Sequence, residues 1–150
     1  MEIFSLRRLV LIFKKYRKID LIIFIYEWFF FYLLRIISTS FFYLKCKVYG
    51  IVIGRGSKVW GKVTFRKYPG STISIDNNVY IISSPLRYSF NIYPLTKLQT
   101  LSKSAEIKIG KNVAFNSLTI LARSTTISIG DGTLIGGNCQ IFDTDGHQLW

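Results

Sequence analysis

Two stretches of the sequence, IKIGKNVAF at 107–115 and ISIGDGTLI at 127–135, align without a gap. Two earlier stretches, IVIGRGSKV at 51–59 and ISIDNNVYI at 73–81, align with them. Each begins with two isoleucines separated by one residue, followed by Gly or Asp, a turn-forming pair and a further apolar residue. Self-similarity of this kind indicates stacked repeats, because one repeat alone cannot bury its apolar side chains.

A period of six residues also runs through this part of the chain. Ile109, Phe115, Leu121 and Ile127 are six residues apart, and so are Ile129, Ile135, Ile141 and His147. The position four residues after an apolar residue is small or β-branched, at Val113, Thr119, Thr125, Thr133 and Cys139. We expect the apolar residues to point into a narrow interior beside these smaller ones, with Gly, Asn and Asp at the corners. The period predicts stacked coils with short, flat β sides, because an ordinary β-sandwich would give alternation without a period of six.

The first fifty residues have a different character. Residues 1–18 mix apolar and basic residues with the spacing of an amphipathic helix, and the apolar stretch that follows is interrupted by Glu27 and Arg35. No uncharged run reaches the roughly 18 residues of a membrane span. We therefore expect residues 1–47 to form a basic, apolar helical arm in the membrane interface, followed by the repeat domain at 48–150. Packing of the arm on the repeats or on other subunits, and a true membrane span, are the alternatives.

The net charge of +12 is spread along the chain, with nine Lys and Arg in the first fifty residues and eleven in the rest. Such a charge suits lipid head groups, a phosphorylated ligand or nucleic acid. We expect no nucleic-acid partner, since no motif that reads DNA or RNA is present. One histidine and two scattered cysteines, Cys46 and Cys139, do not supply a closed zinc site, so we expect no metal. Nothing in this cysteine usage indicates an oxidising compartment, and Cys139 is expected to fill the core.

The stretch IGKNVAFNSLTILARSTTISIGDGTLIGGNCQIFDTDGH, residues 109–147, resembles the hexapeptide-repeat acyltransferases. It is most similar to their sugar O-acetyltransferase branch, which includes the maltose and galactoside acetyltransferases. The resemblance covers about residues 48–150 and implies a mainly β fold, a left-handed parallel β-helix. The stretch at 83–106 breaks the period and looks like the loop that polysaccharide-modifying members insert there. Members of this family are typically homotrimers that bind acetyl-CoA between subunits.

The resemblance also implies a site and a reaction. The acyl donor would be acetyl-CoA, and the acceptor would be a hydroxyl of a cell-surface polysaccharide or its precursor at the inner face of the cytoplasmic membrane. His147 would be the general base, because a neutral imidazole accepts a proton near neutral pH. Asp143 and Asp145 lie close to it in sequence, and a carboxylate can fix the imidazole tautomer. Asn116 and Ser117 would face the acceptor, although a simple corner turn explains them equally well.

Two other functions are weighed against this one. A zinc carbonic anhydrase on the same fold would need three histidines, and the chain has one. A non-catalytic, membrane-anchored scaffold would need no histidine-bearing loop, and the sequence FDTDGH argues against it. Only QLW follows His147, whereas the family continues with further coils that form much of the coenzyme groove. We therefore expect further coils in a complete protein, and weak acetyl-CoA binding and little activity from these 150 residues alone.

Overall fold

The computed structural model describes residues 16–87 and 95–144. The chain divides into two compact units, Met1–Leu33 and Leu34–Trp150. A long helix, α1, is followed by short strands. Their bounds are α1 Lys18–Val48, β1 Val52–Ile53, β2 Lys58–Gly61, β3 Thr64–Arg66, β4 Thr72–Ile75, β5 Tyr80–Ser83, β6 Lys97–Thr100, β7 Glu106–Ile109, β8 Ala114–Asn116, β9 Thr119–Ala122, β10 Thr126–Ile129, β11 Leu134–Ile135 and β12 Gln140–Phe142.

The strands form three four-stranded sheets in which every third strand pairs. The sheet orders are β1-β4-β7-β10, β2-β5-β8-β11 and β3-β6-β9-β12, and all pairs are parallel. Three consecutive strands thus visit the three sheets before the next strand returns to the first. We call each such set a tier: β1–β3, β4–β6, β7–β9 and β10–β12. The mainly β prediction is confirmed, and the topology is consistent with a parallel β-helix.

The strand register confirms the alignment of the four repeats. Ile73 lies opposite Ile107, which lies opposite Ile127. The last position of each repeat also pairs with its equivalents, in the order Val59, Ile81, Phe115 and Ile135. Equal residues therefore stack directly above one another. Most of these side chains belong to one continuous hydrophobic core.

The corner after the first sheet explains the turn-forming pairs in the repeats. Its equivalent residues are Gly56, Asn78, Asn112 and Gly132, and all four have φ between 55° and 78°. Gly and Asn tolerate this left-handed region better than other residues. The glycine at the end of the Ile-x-Ile-Gly unit is required for a different reason. A Cβ at Gly110 would collide with the carboxylate and backbone of Asp131 in the next tier.

The strict period of six is wrong at β9. It predicts Leu121 as an inward residue with Thr119 beside it, but Leu118, Ile120 and Ala122 are the fully buried residues, and Thr119 and Leu121 are only partly buried. The expected inward Thr125 is exposed. Because side chains alternate along a strand, a corner shorter by one residue moves the whole strand pattern to the opposite face.

The second half of α1 covers the first tier. Phe42 and Cys46 are buried, and Phe42 packs against Phe65 with ring centroids 5.8 Å apart. Polar side chains of the helix also satisfy edge groups of the sheets. Thr39 Oγ1 accepts from Val59 N at 3.0 Å, and Ser38 Oγ accepts from Gly61 N at 3.0 Å. Unpaired strand edges invite pairing with other chains, so residues 34–48 cap the stack.

The interruption at 83–106 is not a single loop. Ser83 ends β5, and β6 at Lys97–Thr100 belongs to the third sheet, where it lies between β3 and β9. Residues 88–94 are outside the described residues. The second tier is therefore complete in strands, with an insertion between its second and third sides.

Within the first unit, the described part of α1 is mostly exposed. Residues 19–33 include Ile22, Phe24 and Tyr26, which are 61%, 61% and 68% exposed. Among the described residues, α1 is the one helix long and apolar enough to cross a membrane by length and composition. The buried helix of a soluble protein and a signal sequence also meet those two criteria.

Candidate functional site

The predicted site residues fall in two groups. His147 and Asp145 lie outside the described residues, and so does the geometry of any imidazole–carboxylate pair. Asp143, Asn116 and Ser117 are described, and each has a defined place in the fold.

Asp143 follows β12 directly and reaches back to the tier below. Its carboxylate accepts the backbone N–H groups of three consecutive residues, Arg123, Ser124 and Thr125, at 2.7, 2.8 and 2.7 Å. The Thr125 hydroxyl donates a further hydrogen bond at 3.0 Å. Oδ2 accepts three of these four hydrogen bonds and Oδ1 accepts one, from Arg123. Asp143 thus ties the chain directly after β12 to the corner after β9.

The same contacts shift the acidity of this carboxyl group. Partial burial raises the pKa of Asp143, but the hydrogen bonds from the three N–H groups and from Thr125 together lower it more, so the pKa lies below the usual 3.8. Asp143 is therefore ionised at neutral pH and held by donors that favour the charged form. The position of the His147 imidazole relative to this carboxylate lies outside the described residues.

Two other corners, one in the second tier and one in the fourth, have the same arrangement, which the sequence analysis missed. Asn77 Oδ1 accepts from Arg55 N at 2.7 Å, and Asp131 Oδ1 accepts from Lys111 N at 2.7 Å. In each case a side chain at a corner binds the backbone of the tier below. Asn77 and Asp131 occupy the same position in the aligned repeats, so the sequence did contain a signal: an Asn or Asp directly after the Ile-x-Ile-Gly or Ile-x-Ile-Asp unit.

Asn116 and Ser117 form the corner between β8 and β9. Asn116 is partly buried. Ser117 is 1% exposed and has a φ of 49°; its N–H donates to Ile82 O at 2.9 Å. Its hydroxyl has no hydrogen-bond partner among the described residues, and neither has the buried hydroxyl of Thr96. As described, Ser117 faces the interior of the corner and not a surface open to an acceptor sugar.

The structure does not bring Asn116 and Asp143 together. Asn116 precedes β9, whereas the Arg123–Thr125 corner held by Asp143 follows it. A strand of four residues spans about 13 Å, so Asn116 and Asp143 lie at opposite ends of β9. Within the described tiers, these two residues do not line one cleft.

The cysteines and carboxylates do not form a metal centre in the described part of the chain, where no group of three His, Cys, Asp or Glu side chains is close enough to hold an ion. Cys46, a residue of α1, is fully buried in the hydrophobic core, and burial raises the pKa of its thiol to about 12. A thiol that remains protonated is a poor nucleophile. Cys139 is partly buried and packs against the core, as expected of a core residue.

Comparison of the chain with protein-family models, with curated proteins and with solved structures finds no match. The resemblance to hexapeptide acyltransferases therefore depends on the residues of this sequence, and the function derived from it is a proposal.

Proposed function

We propose that this chain is an acetyl-CoA-dependent O-acetyltransferase of the hexapeptide class, built on a left-handed parallel β-helix. The acceptor would be a sugar hydroxyl of a cell-surface polysaccharide or its precursor. The observation that carries the proposal is the stack of four parallel tiers in repeat register, followed immediately by the sequence DTDGH. The tiers supply the rigid frame, and the loop after the last strand supplies the only histidine.

In the proposed reaction, His147 accepts the proton of the sugar hydroxyl as its oxygen attacks the thioester carbonyl carbon of acetyl-CoA. A tetrahedral oxyanion forms, which backbone N–H groups would stabilise. The C–S bond then breaks, and the acetyl ester and the coenzyme thiolate are released. The proton held by His147 passes to the thiolate, so that the imidazole returns to its neutral form. No metal takes part.

The contacts of Asp143 divide the roles of the two aspartates. Asp143 is a positioning residue, because its carboxylate is bonded to the backbone at 123–125. It fixes the point at which the loop leaves the tiers. In this proposal Asp145 orients the imidazole of His147. Asn116 stays a candidate for acceptor binding only if a neighbouring subunit brings its corner close to a loop, as the proposed homotrimer would require.

We place the protein at the inner face of the cytoplasmic membrane. The support is the described part of the first unit, where the helix exposes large apolar side chains, among them Ile22, Phe24 and Trp28. Exposed apolar surface on this scale is typical of an interaction site. Basic residues at 14, 15, 17 and 18 would favour anionic lipid next to it.

The alternative function is a membrane-anchored scaffold without catalysis. One observation favours it: the carboxylate of Asp143 has a structural role, since its four hydrogen bonds hold the fourth tier to the third. In a scaffold the segment 143–147 would have this structural role alone.

An acetyl-transfer assay on the unchanged protein and on a His147 variant separates the two functions. In the full-length protein, His147→Ala should lower acetyl transfer from acetyl-CoA to a glycan acceptor by about 10²–10⁴-fold, the usual contribution of a general base, with little change in thermal stability. Transfer is followed with a panel of glycans, and light scattering tests for the homotrimer. A matched control is His147→Gln, which keeps a hydrogen-bonding side chain but cannot accept the proton. The scaffold function predicts no acetyl transfer by the unchanged protein, whereas near-normal turnover in either variant would overturn His147 as the general base.

A further inference from the structure

The capped end of the second unit carries a groove that no proposed role uses. It lies between the second half of α1 and the corner at Gly61–Val63, and has a volume of about 380 Å3. Buried Phe42 and Val63 form part of its lining, together with Ile37 and Phe41, which are 53% and 61% exposed. Such a volume is within the range of small-ligand sites, and the lining is almost wholly apolar.

The groove continues into an apolar stripe on the helix. Ile37, Phe41, Leu44 and Val48 follow one another at intervals of four, three and four residues, which places them on one side of a helix. Leu44 and Val48 are 56% and 75% exposed. Water therefore contacts a continuous row of large apolar side chains beside an apolar groove.

The charge around the groove is of one sign. Lys45 and Lys62 line it, and Lys62 is exposed. Lys45 Nζ donates to Val63 O at 3.0 Å, which leaves two of its three N–H donors for another acceptor. The surroundings repeat this pattern: residues 34–75, which form the cap and the first tier, contain eight Lys and Arg and no Asp or Glu.

The described remainder of the unit is different. Residues 76–87 and 95–144 contain six Lys and Arg and four Asp and Glu. The excess of basic over acidic residues is therefore larger in the cap and first tier than in the rest of the unit. These parts form one end of the stack, since β1, β2 and β3 are edge strands of their sheets. An apolar groove and stripe within a purely basic surface match a ligand with an apolar chain and a negative head.

We infer that this surface binds anionic phospholipid of a bilayer, with an acyl chain in the groove and the phosphate at Lys62 and Lys45. Nucleic acid fits less well, because it would leave the apolar stripe in water. The inference deepens the proposed membrane association by adding a lipid contact from the second unit to that of the exposed helix in the first unit. It does not depend on acetyl transfer.

The test uses the full chain with vesicles of phosphatidylcholine alone or mixed with phosphatidylglycerol. Phe41→Ser should weaken binding to the mixed vesicles about tenfold, as expected when an aromatic side chain is lost from an apolar phase. Its control is Phe142→Ser, since Phe142 is 58% exposed but belongs to the fourth tier. Lys62→Gln should weaken the same binding about fivefold, the effect of one basic residue near anionic lipid, and its control is the exposed Lys111→Gln. Both controls should bind as the unchanged chain does.

The residues exchanged are exposed, so melting curves should show that all four variants fold. Equal binding by all four would overturn the inference and leave the first unit as the only lipid contact. A loss for Lys62→Gln that is as large on pure phosphatidylcholine, which has no net charge, would overturn the preference for anionic lipid. Binding to single-stranded RNA without binding to vesicles would assign the surface to nucleic acid instead. Acetyl transfer to a soluble glycan, measured on the same variants, should not change, so failure of one proposal is separable from failure of the other.

Discussion

The two ends of the stack have similar repeat sequences but different surroundings. In the first tier, Val59, Val63 and Phe65 are 0%, 3% and 5% exposed, because the second half of α1 lies over them. In the fourth tier, the aligned Ile135 is only partly buried, as is Ile141. The same kind of side chain, pointing the same way, is therefore protected at one end and half open at the other within the described residues.

This difference shows what the repeats do not supply by themselves. A tier buries its inward side chains only when something covers it on each side, which is why repeat proteins depend on caps. At the first tier the cover is a helix whose hydroxyl groups also satisfy the strand edges. Stability should thus be unevenly distributed along the stack, and substitutions can measure it.

The largest effect is expected from the residue that joins the cap to the first tier. Phe42→Ala should lower the free energy of unfolding by about 3–5 kcal/mol, as for other buried aromatic side chains, because Phe42 is 2% exposed and packs on Phe65. Its neighbour Phe41, 61% exposed, provides the control, and Phe41→Ala should have little effect. Denaturant unfolding checks both, and similar losses would mean that the helix does not cap the stack as described.

The second comparison uses aligned positions at the two ends. Val59→Ala should destabilise by about 2 kcal/mol, from lost apolar contact and the cavity that remains. Ile135→Ala removes more atoms but from a half-open site, and should destabilise by about 1 kcal/mol, since such a site loses less buried area. If unfolding measurements gave the larger loss for Ile135, the fourth tier would have to be covered in solution as fully as the first.

A smaller effect is expected at Asp143, which ties the fourth tier to the third. Asp143→Asn should destabilise by about 1 kcal/mol at neutral pH, a value for charged hydrogen bonds reduced for partial exposure. The pKa of Asp143 is lowered in the folded state from 3.8, so its contribution is present above that value. It should disappear as the pH falls through the folded pKa.

The measurement is the difference in unfolding free energy between the original chain and Asp143→Asn as a function of pH. Asp131→Asn is the matched control for a corner aspartate, because Asp131 accepts one backbone N–H, from Lys111. A difference that stayed constant down to strongly acidic pH would show that the carboxylate charge is not what holds the corner.

The smallest perturbation is chemical and leaves the fold unchanged. Cys46 belongs to the cap and is fully buried, and burial raises the pKa of its thiol to about 12, whereas Cys139 lies in the partly open fourth tier. A thiol reagent at neutral pH should therefore modify Cys139 first, and Cys46 only after unfolding, because reaction requires access and the thiolate form. Mass spectrometry of the modified peptides distinguishes the two sites, and early labelling of Cys46 would contradict a stable cap.

The sequence predicted those features that repeat, and it failed where the repeat is irregular. The Ile-x-Ile pattern that begins at Ile73, Ile107 and Ile127 was enough to predict the register, since one residue of slip would turn every side chain to the wrong face. The period of six failed at Leu121 because corner lengths vary between tiers, and a corner leaves little pattern in the sequence. Apolar residues of α1 look alike whether they face lipid or a tier, so the cap was only one of several alternatives.

The candidate site was less predictable than the fold. Asp143 was chosen for its distance from His147 along the chain, but its partners at 123–125 come from the tier below and become neighbours only when the strands stack. The buried position of Ser117 has the same origin, because it depends on a corner conformation. Proximity in sequence selected Asp143, and only the three-dimensional arrangement showed that it anchors the corner at 123–125.

The position of the cap at the start of the stack also bears on how the protein is made. The ribosome releases α1 before any strand, and each later tier pairs with the one already formed, as when Ile127 pairs with Ile107 twenty residues earlier. Contacts of short range in sequence favour fast folding, and domains generally fold from the N-terminal end during synthesis. A growing chain would therefore add tiers in order onto a finished surface, and strands β1–β3 would be paired and covered before they met another nascent chain.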